Sequence, residues 1–530
     1  MRTSRLVLLG LACLLLFLVP VFGSTNQQKV FSLDSDVYEA IEVLYVSQGL
    51  SLPSTTGPYS QAELSLMLEK IDAPKLRGSL ADVYAYVEKQ LSVQPKIEGK
   101  GIGLSWNFDA TLEGYYHTDT TNFLGREAWN YGAINQKPLI TVGLETWPNK
   151  NFYGYSEFSV GNTHTLKNGF GTTALASNLI VLPPADLMDL DFNMPYRAFV
   201  VAGGDFWTFQ LGRDRLNWGA GTTGNLMLSD TFKYHNMARF TTFSDKFKYT
   251  FLSSFFPHPS HYIGGGDGQS TIGDGQDKLL DGIYMFMSHR LEWRMFKDKL
   301  GLTITESIIY QSEENFIDLR ILNPVMIFHN LYIRSNSNSI LGLELDYTPI
   351  KGLNIYAQAA VDEFSLPGEA KPSAAETNYP ETFGFLVGLK GFVPMQKMVG
   401  YGSVEYAYTD PYLYLRYAQN ASPDTGGGYD AYGLNYVGAI REFTNKSGMR
   451  YNQEFLGYTY GNDAVVVNLN GGVKSFGKWN VSANIFYMAH GTFDMFTIWD
   501  RVGGTTGSPL VSTPTDDGND SAGNYNDWLI

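Results

Sequence analysis

The sequence predicts a mostly β protein: an up-and-down transmembrane antiparallel β-barrel of about 14 to 18 strands, with a small N-terminal periplasmic helical bundle. Three observations lead there. An apolar leader marks the chain for export, and no later apolar stretch is long enough to cross a membrane as a helix. From about residue 100, apolar and polar residues alternate with a period of two.

The leader reads MRTSRLVLLGLACLLLFLVPVFGS. Arg2 and Arg5 form a basic region, Leu6 to Val19 an apolar core, and Val21-Phe22-Gly23 a small-residue cleavage site, so residues 1–23 are expected to be a signal peptide. Cys13 is the only cysteine and leaves with it, so no disulfide, thiol chemistry or thiolate metal site is expected in the exported protein. Removing Arg2 and Arg5 from the 38 Lys and Arg leaves 36 against 53 Asp and Glu, a net charge of −17. That balance argues against nucleic acid or anionic lipid as the main partner. An exported chain this rich in Tyr, Phe and Gly, without spanning helices, is either a secreted all-β protein or an outer-membrane barrel.

Residues 24–98 are expected to form the helical unit. In DSDVYEAIEVLYVSQG, Val37, Ile41, Leu44 and Tyr45 share one face and Gly49 ends the turn. Ser60 and Glu63 make a capping box ahead of Leu64, Leu68 and Ile71. Leu80, Val83, Tyr84, Val87 and Leu91 form a third stripe.

Residues 99–530 are assigned to the barrel. LGLELDYTPI sets Leu341, Leu343, Leu345 and Tyr347 against Glu344 and Asp346. GLNIYAQAAVDEF sets Ile355, Ala357, Ala359 and Val361 against Asn354, Tyr356, Gln358 and Asp362. One apolar and one polar face suits either a sandwich or a barrel with a wet interior. Connection lengths choose the barrel. Short turns at 148–151, 244–246, 297–299 and 349–352 alternate with long excursions at 114–136, 163–195, 257–280, 313–338 and 365–380, as a barrel with two unlike rims requires.

Two segments break the pattern. If 197–212 is a single strand, then it and 237–243 run the same way, and residues 213–236 must hide a strand or climb through the lumen. Residues 316–334 are too apolar for a solvated loop and are expected to fold inward or extend strands. The polar C-terminus, TDDGNDSAGNYNDWLI, lacks the aromatic-ended strand that barrel assembly reads, so the closing strand is expected to be missing or to lie elsewhere.

Candidate chemistry is sparse. GAGTTG, Gly219 to Gly224, matches a dinucleotide-binding string, but a charged approach precedes it and no helical stripe follows, so the glycines are expected only to turn the backbone beside a crowded wall. His258 and His261 lack nearby carboxylates, and Asp267, Asp274, Asp277 and Asp281 fit no EF-hand spacing. No metal, cofactor or catalytic group is expected. The densest polar-aromatic cluster is GRDRLNWG. Its Arg213, Asp214, Arg215, Asn217 and Trp218 suit either a saccharide grip, with guanidinium on hydroxyls and indole on the sugar face, or a network bracing the inner wall.

At these residues the chain resembles the Wzi-like capsule-assembly outer-membrane proteins. The opening VYEAIEVLYVSQGLSLPSTTGPYSQAEL, then LGRDRLNWGAGTTGNLMLSD, LRILNPVMIFHN and EFLGYTYGNDA, are similar to that family's stretches in the same order, from about 34 to 490. Ala220 departs from the family, which tends to have Pro after Trp-Gly. The resemblance implies an outer-membrane barrel with its N-terminal unit in the periplasm, binding or organising surface polysaccharide without catalysis. It adds Asn323 and His329 to the saccharide-binding candidates. Expected partners are surface polysaccharide, outer-membrane lipid and the barrel-assembly machinery; nucleic acid is not. A channel for small solutes is the alternative, because a polar strand face also suits a water-filled lumen.

Overall fold

A computed structural model of the chain describes residues 26–99, 102–116, 137–160, 175–177, 197–258, 282–312, 337–362, 382–416, 434–444, 448–491, 493, 495 and 525–529. The expected signal peptide at 1–23, residues 316–334, His261 and the four loop aspartates lie outside them.

Three helices form where caps and stripes call for them: α1 (Asp36–Gln48), α2 (Gln61–Glu69) and α3 (Ser79–Leu91). Gly49 ends α1 at φ 83°, a left-handed conformation that costs glycine little. The Ser60–Glu63 capping box satisfies the first amides of α2. Leu44, Leu64 and Val87 meet in a dry core, while the Tyr45 hydroxyl donates to the Met67 carbonyl at 2.7 Å and Gln61 Nε2 to the Leu91 carbonyl at 2.6 Å.

Most of the rest is a 16-strand antiparallel sheet in which chain neighbours are hydrogen-bond neighbours, with the hairpin Val437–Thr444 and Gly448–Phe455 paired separately. Its first half is β1 (Ile102–Ala110), β2 (Ile140–Asn149), β3 (Phe152–Val160), β4 (Ala198–Gly203), β5 (Trp207–Asp214), β6 (His235–Phe243), β7 (Phe247–Phe256) and β8 (Ile283–Met295). The second half is β9 (Leu300–Ser312), β10 (Ser337–Ile350), β11 (Leu353–Val361), β12 (Phe383–Pro394), β13 (Val399–Thr409), β14 (Ala464–Ser475), β15 (Trp479–His490) and β16 (Tyr525–Leu529). Among the described residues no pairing joins β16 to β1, where residues 97–99 form the edge.

The sheet is greasy outside and polar within. On β10, Leu341, Leu343 and Leu345 are 52%, 45% and 41% exposed, whereas Glu344 and Asp346 are 6% and 5% exposed. A sandwich would bury the leucines, so the alternation has the sense of a barrel whose apolar face meets lipid. Aromatic pairs such as Trp207–Phe240 and Phe247–Trp293 lie near the short turns, as in an interfacial girdle.

The short turns share one rim, and the N-terminal unit packs against it. Gly352 N donates to the Val46 carbonyl at 2.8 Å, Ser51 N to the Asp298 carbonyl at 2.7 Å, and Gln28 Nε2 to the Gly204 carbonyl at 3.2 Å. Lys70 reaches Asp298 at 3.4 Å.

One expectation needs correction. The run 197–212 is two strands, not one, because Gly204 N bonds the Trp207 carbonyl at 2.9 Å and folds the chain back at 204–206. Parity is restored, and residues 215–234 need not cross the wall: they leave at Asp214 and return at His235, its register partner, having folded inside. At the C-terminal end, Tyr525–Leu529 pairs with Phe486–His490 as a last strand, without a described partner on its other side.

Candidate functional site

Two inserted segments fill the interior and meet there. One is the loop between α1 and α2, around Thr56; the other is residues 215–234. Thr56–Gly57 pairs antiparallel with Asn217–Trp218, and Gly219 N donates to the Thr55 carbonyl at 2.7 Å. Gly219 sits at φ 138° and Gly224 at φ 124°; a Cβ on Gly219 would collide with the Asn225 and Gln358 side chains. The glycines of GAGTTG thus bend a backbone against a crowded wall.

The α1–α2 loop is held by buried charge. Arg290 on β8, completely buried, makes a bidentate pair with Glu344 on β10 at 2.7 and 2.8 Å. It also donates to Thr305 at 2.9 Å, Thr55 at 2.7 Å and Thr56 at 2.6 Å. The Thr56 hydroxyl in turn donates to Glu292, which accepts from Thr55 N at 3.2 Å and Arg294 at 3.1 Å. Lys248 closes the set, bonded to Glu63 of α2 at 2.6 Å and to the Thr56 carbonyl at 3.0 Å. Each buried ion has an opposite charge and hydrogen bonds, the condition under which burial is tolerated.

The 215–234 segment is held by neutral and charged acceptors on the far wall. Glu405 on β13 accepts from Thr222 N at 2.7 Å, Thr223 N at 2.8 Å, the Tyr356 hydroxyl at 2.6 Å and the Thr223 hydroxyl. Gln358 bonds Leu226 N at 3.0 Å and Asn225 Oδ1 at 2.6 Å. The Leu226 and Met227 carbonyls, outside any sheet, accept from Tyr414 at 2.6 Å and Tyr436 at 2.8 Å. Tyrosine suits this layer, because its ring fills the lumen and its hydroxyl satisfies a buried carbonyl.

The structure distributes the sequence-predicted site residues over two settings. Asp214 is buried and accepts from Arg197 Nε at 2.6 Å and Gln210 Nε2 at 2.8 Å. Arg213 bonds Asn236 at 2.9 Å and stacks its guanidinium 4.2 Å from the Tyr234 ring centre. Arg215, the first residue of the inserted segment, pairs with Asp34 at 2.9 Å and ties that segment to the N-terminal unit. Asn217 and Trp218 belong to the same segment. Asn217 Oδ1 accepts from Asn225 Nδ2 at 2.6 Å, and Trp218 is completely buried with the Arg290 guanidinium 5.7 Å from its ring. Trp218 Nε1 has no hydrogen-bond partner among the described residues. Asn323 and His329 lie outside the described residues.

Beside the inserted segments a cavity of 510 Å³ remains. Strands β12 to β15 wall it, Glu39 and Glu42 of α1 form one end, and Thr222 and Thr223 face it from the inserted segment. Asn468 is 4% exposed, and its Oδ1 has no partner among the described residues. Asn470 Nδ2 donates to Asn484 Oδ1 at 3.3 Å, and the Tyr401 hydroxyl to Asn480 at 2.9 Å. Burial raises the Glu39 carboxyl above its ordinary range, and its bond to Lys474 opposes that shift. Asn468 and Asn470 carry a visible sequence signal: VVVNLN sets two amides opposite Val467 and Leu469 on one strand.

No family model matches the chain, and no curated protein does. Among solved structures, the chain is similar to Wzi of Escherichia coli, an outer-membrane protein involved in group 1 capsule assembly and a carbohydrate-binding β-barrel. That match has a TM-score of 0.52 and 13% identity over 87% of this chain and 85% of Wzi. OmpT, an outer-membrane protein of Vibrio cholerae, matches with a TM-score of 0.34 and 12% identity over 76% of this chain and 95% of that one. An anion-selective porin from Comamonas acidovorans matches at 0.32 and 11% over 73% and 89%. These last two scores are too low to carry an argument; the chain has the Wzi fold.

Proposed function

We propose that the protein is an outer-membrane β-barrel that binds or organises surface polysaccharide, capsular or exopolysaccharide, without catalysing a reaction. The observation that carries this reading is a lumen obstructed by two inserted segments that pair with each other, inside a fold shared with a carbohydrate-binding barrel. The inner-wall residues Arg290, Glu292, Glu344 and Glu405 are spent on holding the inserted segments, which suits a scaffold better than a conduit or a hydrolase. The competing reading, a channel for small solutes, has to route solute past Thr56 and Trp218.

In this reading the short-turn rim and the helical unit face the periplasm, and the long excursions face outward, where polysaccharide is met. We propose that in the bilayer the barrel closes along a composite seam, with residues 97–99 meeting one half and β16 the other. Trp479–Ile485, the stretch of β15 that β16 leaves unpaired, are exposed at every position instead of alternately, and lipid does not tolerate an open strand edge, which is the reason to expect closure there. Slow amide exchange at Trp479–Ile485 in bilayers is expected; fast exchange contradicts closure.

Deleting the gene from its host tests the function. Loss of polysaccharide from the cell surface, with synthesis and export intact, is the expected result; unchanged retention refutes the reading.

A further inference from the structure

We propose that the 510 Å³ interior cavity is a binding site for a short, uncharged oligosaccharide, separate from the outward loops. The proposal rests on the polysaccharide reading only for where such a sugar would come from. The volume lies within the roughly 300–1,000 Å³ of small-ligand sites.

The lining has the chemistry of hydroxyl recognition. Asn468, Asn470 and Asn484 present amides from β14 and β15, and Ser403 adds a hydroxyl from β13. An amide donates and accepts at once, as does a sugar hydroxyl, so the two match without ionisation. Asn468 makes the strongest case. Its Oδ1 is buried with no donor among the described residues, an arrangement that is costly unless something supplies one. Tyr401, Phe392 and Tyr460 supply aromatic surface for the apolar face of a pyranose.

Charge selects against acidic sugars. Lys390 is tied to Glu42 at 3.1 Å, and Lys474 to Asp36 at 2.8 Å and to Glu39. Three carboxylates therefore answer two lysines, and an anionic ligand would have to displace one of them from its lysine.

The test titrates the full chain, folded in detergent, with maltotriose, cellotriose, chitotriose and trigalacturonate by calorimetry. At least one neutral trisaccharide binds saturably, with trigalacturonate about tenfold weaker or more. Asn468→Leu weakens the neutral sugar about tenfold. Ser403→Trp, which fills the cavity from the neighbouring strand as the register partner of Asn470, abolishes binding, with heat-modifiable gel mobility confirming that each variant is folded. Absence of binding by every neutral sugar, equal binding of trigalacturonate, or undiminished binding by folded Ser403→Trp overturns the proposal. Surface retention of polysaccharide, measured separately in the deletion strain, can fail while the titrations succeed, so the two readings fall independently.

Discussion

Replacing Arg290 with Met should release the α1–α2 loop from the barrel wall. Arg290 donates five hydrogen bonds, two of them to Glu344 at 2.7 and 2.8 Å, and the whole side chain is buried. Met has similar reach and no charge. Glu344 then retains the Thr55 hydroxyl at 3.3 Å, too little to replace an ion pair in a site that is 6% exposed. Leaving a buried charge without its partner costs about 3–5 kcal/mol. The double variant Arg290→Met, Glu344→Leu removes both charges and should recover at least about 2 kcal/mol of that loss. Urea unfolding in detergent measures both, and a variant whose other eight tryptophans are replaced by Phe reports locally through Trp218, whose ring lies beside Arg290. An Arg290→Met protein within about 0.5 kcal/mol of the parent, below the range for a buried unpaired ion, would refute the account of how the loop is held.

Three further outcomes follow from the same geometry. Leu343→Arg puts a charge on the outer face midway along β10 and should cost about 2–4 kcal/mol in bilayers, read by folding titration; no cost would mean that face does not meet lipid. Gly219→Ala, at φ 138° and against Asn225 and Gln358, should destabilise by about 1–3 kcal/mol in thermal melts, and an unchanged melting point would contradict the packing described. Burial pushes the Asp410 carboxyl, at the end of β13, up to about 6 from 3.8. The folded state then binds its proton more tightly than the unfolded state, so this stabilisation is full below about pH 4 and is lost as pH rises through about 6. Asp410→Asn should flatten that part of the stability profile, and a profile with the parent's slope would show that Asp410 is not responsible.

The helices were legible because their signals are local: Ser60 and Glu63 are three residues apart, and Gly49 adjoins the last turn of α1. The strands were legible through alternation, which also put Glu344 and Asp346 on the polar face. Alternation could not locate the turn at 204–206, because apolar and aromatic residues continue on both sides of the Gly203–Gly204 pair and the run reads as one strand. Nor could it join Arg290 to Glu344 or Thr55, since those contacts depend on which strands become neighbours and which loop enters between them. GRDRLNWG was visible as a cluster, but the structure divides it: Asp214 ends a strand and braces the wall, while Trp218 has turned inward. The cavity was not anticipated from the sequence. The Asn468–Asn470 spacing is written in β14, but Tyr401 and Glu42, which complete the enclosure, come from a different strand and from α1.

Single-channel recording in planar bilayers tests the obstructed lumen most directly. The folded protein should insert with little or no steady conductance, and deleting residues 50–58 should raise it, because that loop meets Asn217–Trp218 across the lumen. Steady, porin-like conductance from the intact chain would contradict an obstructed lumen and return the molecule to the class of solute channels.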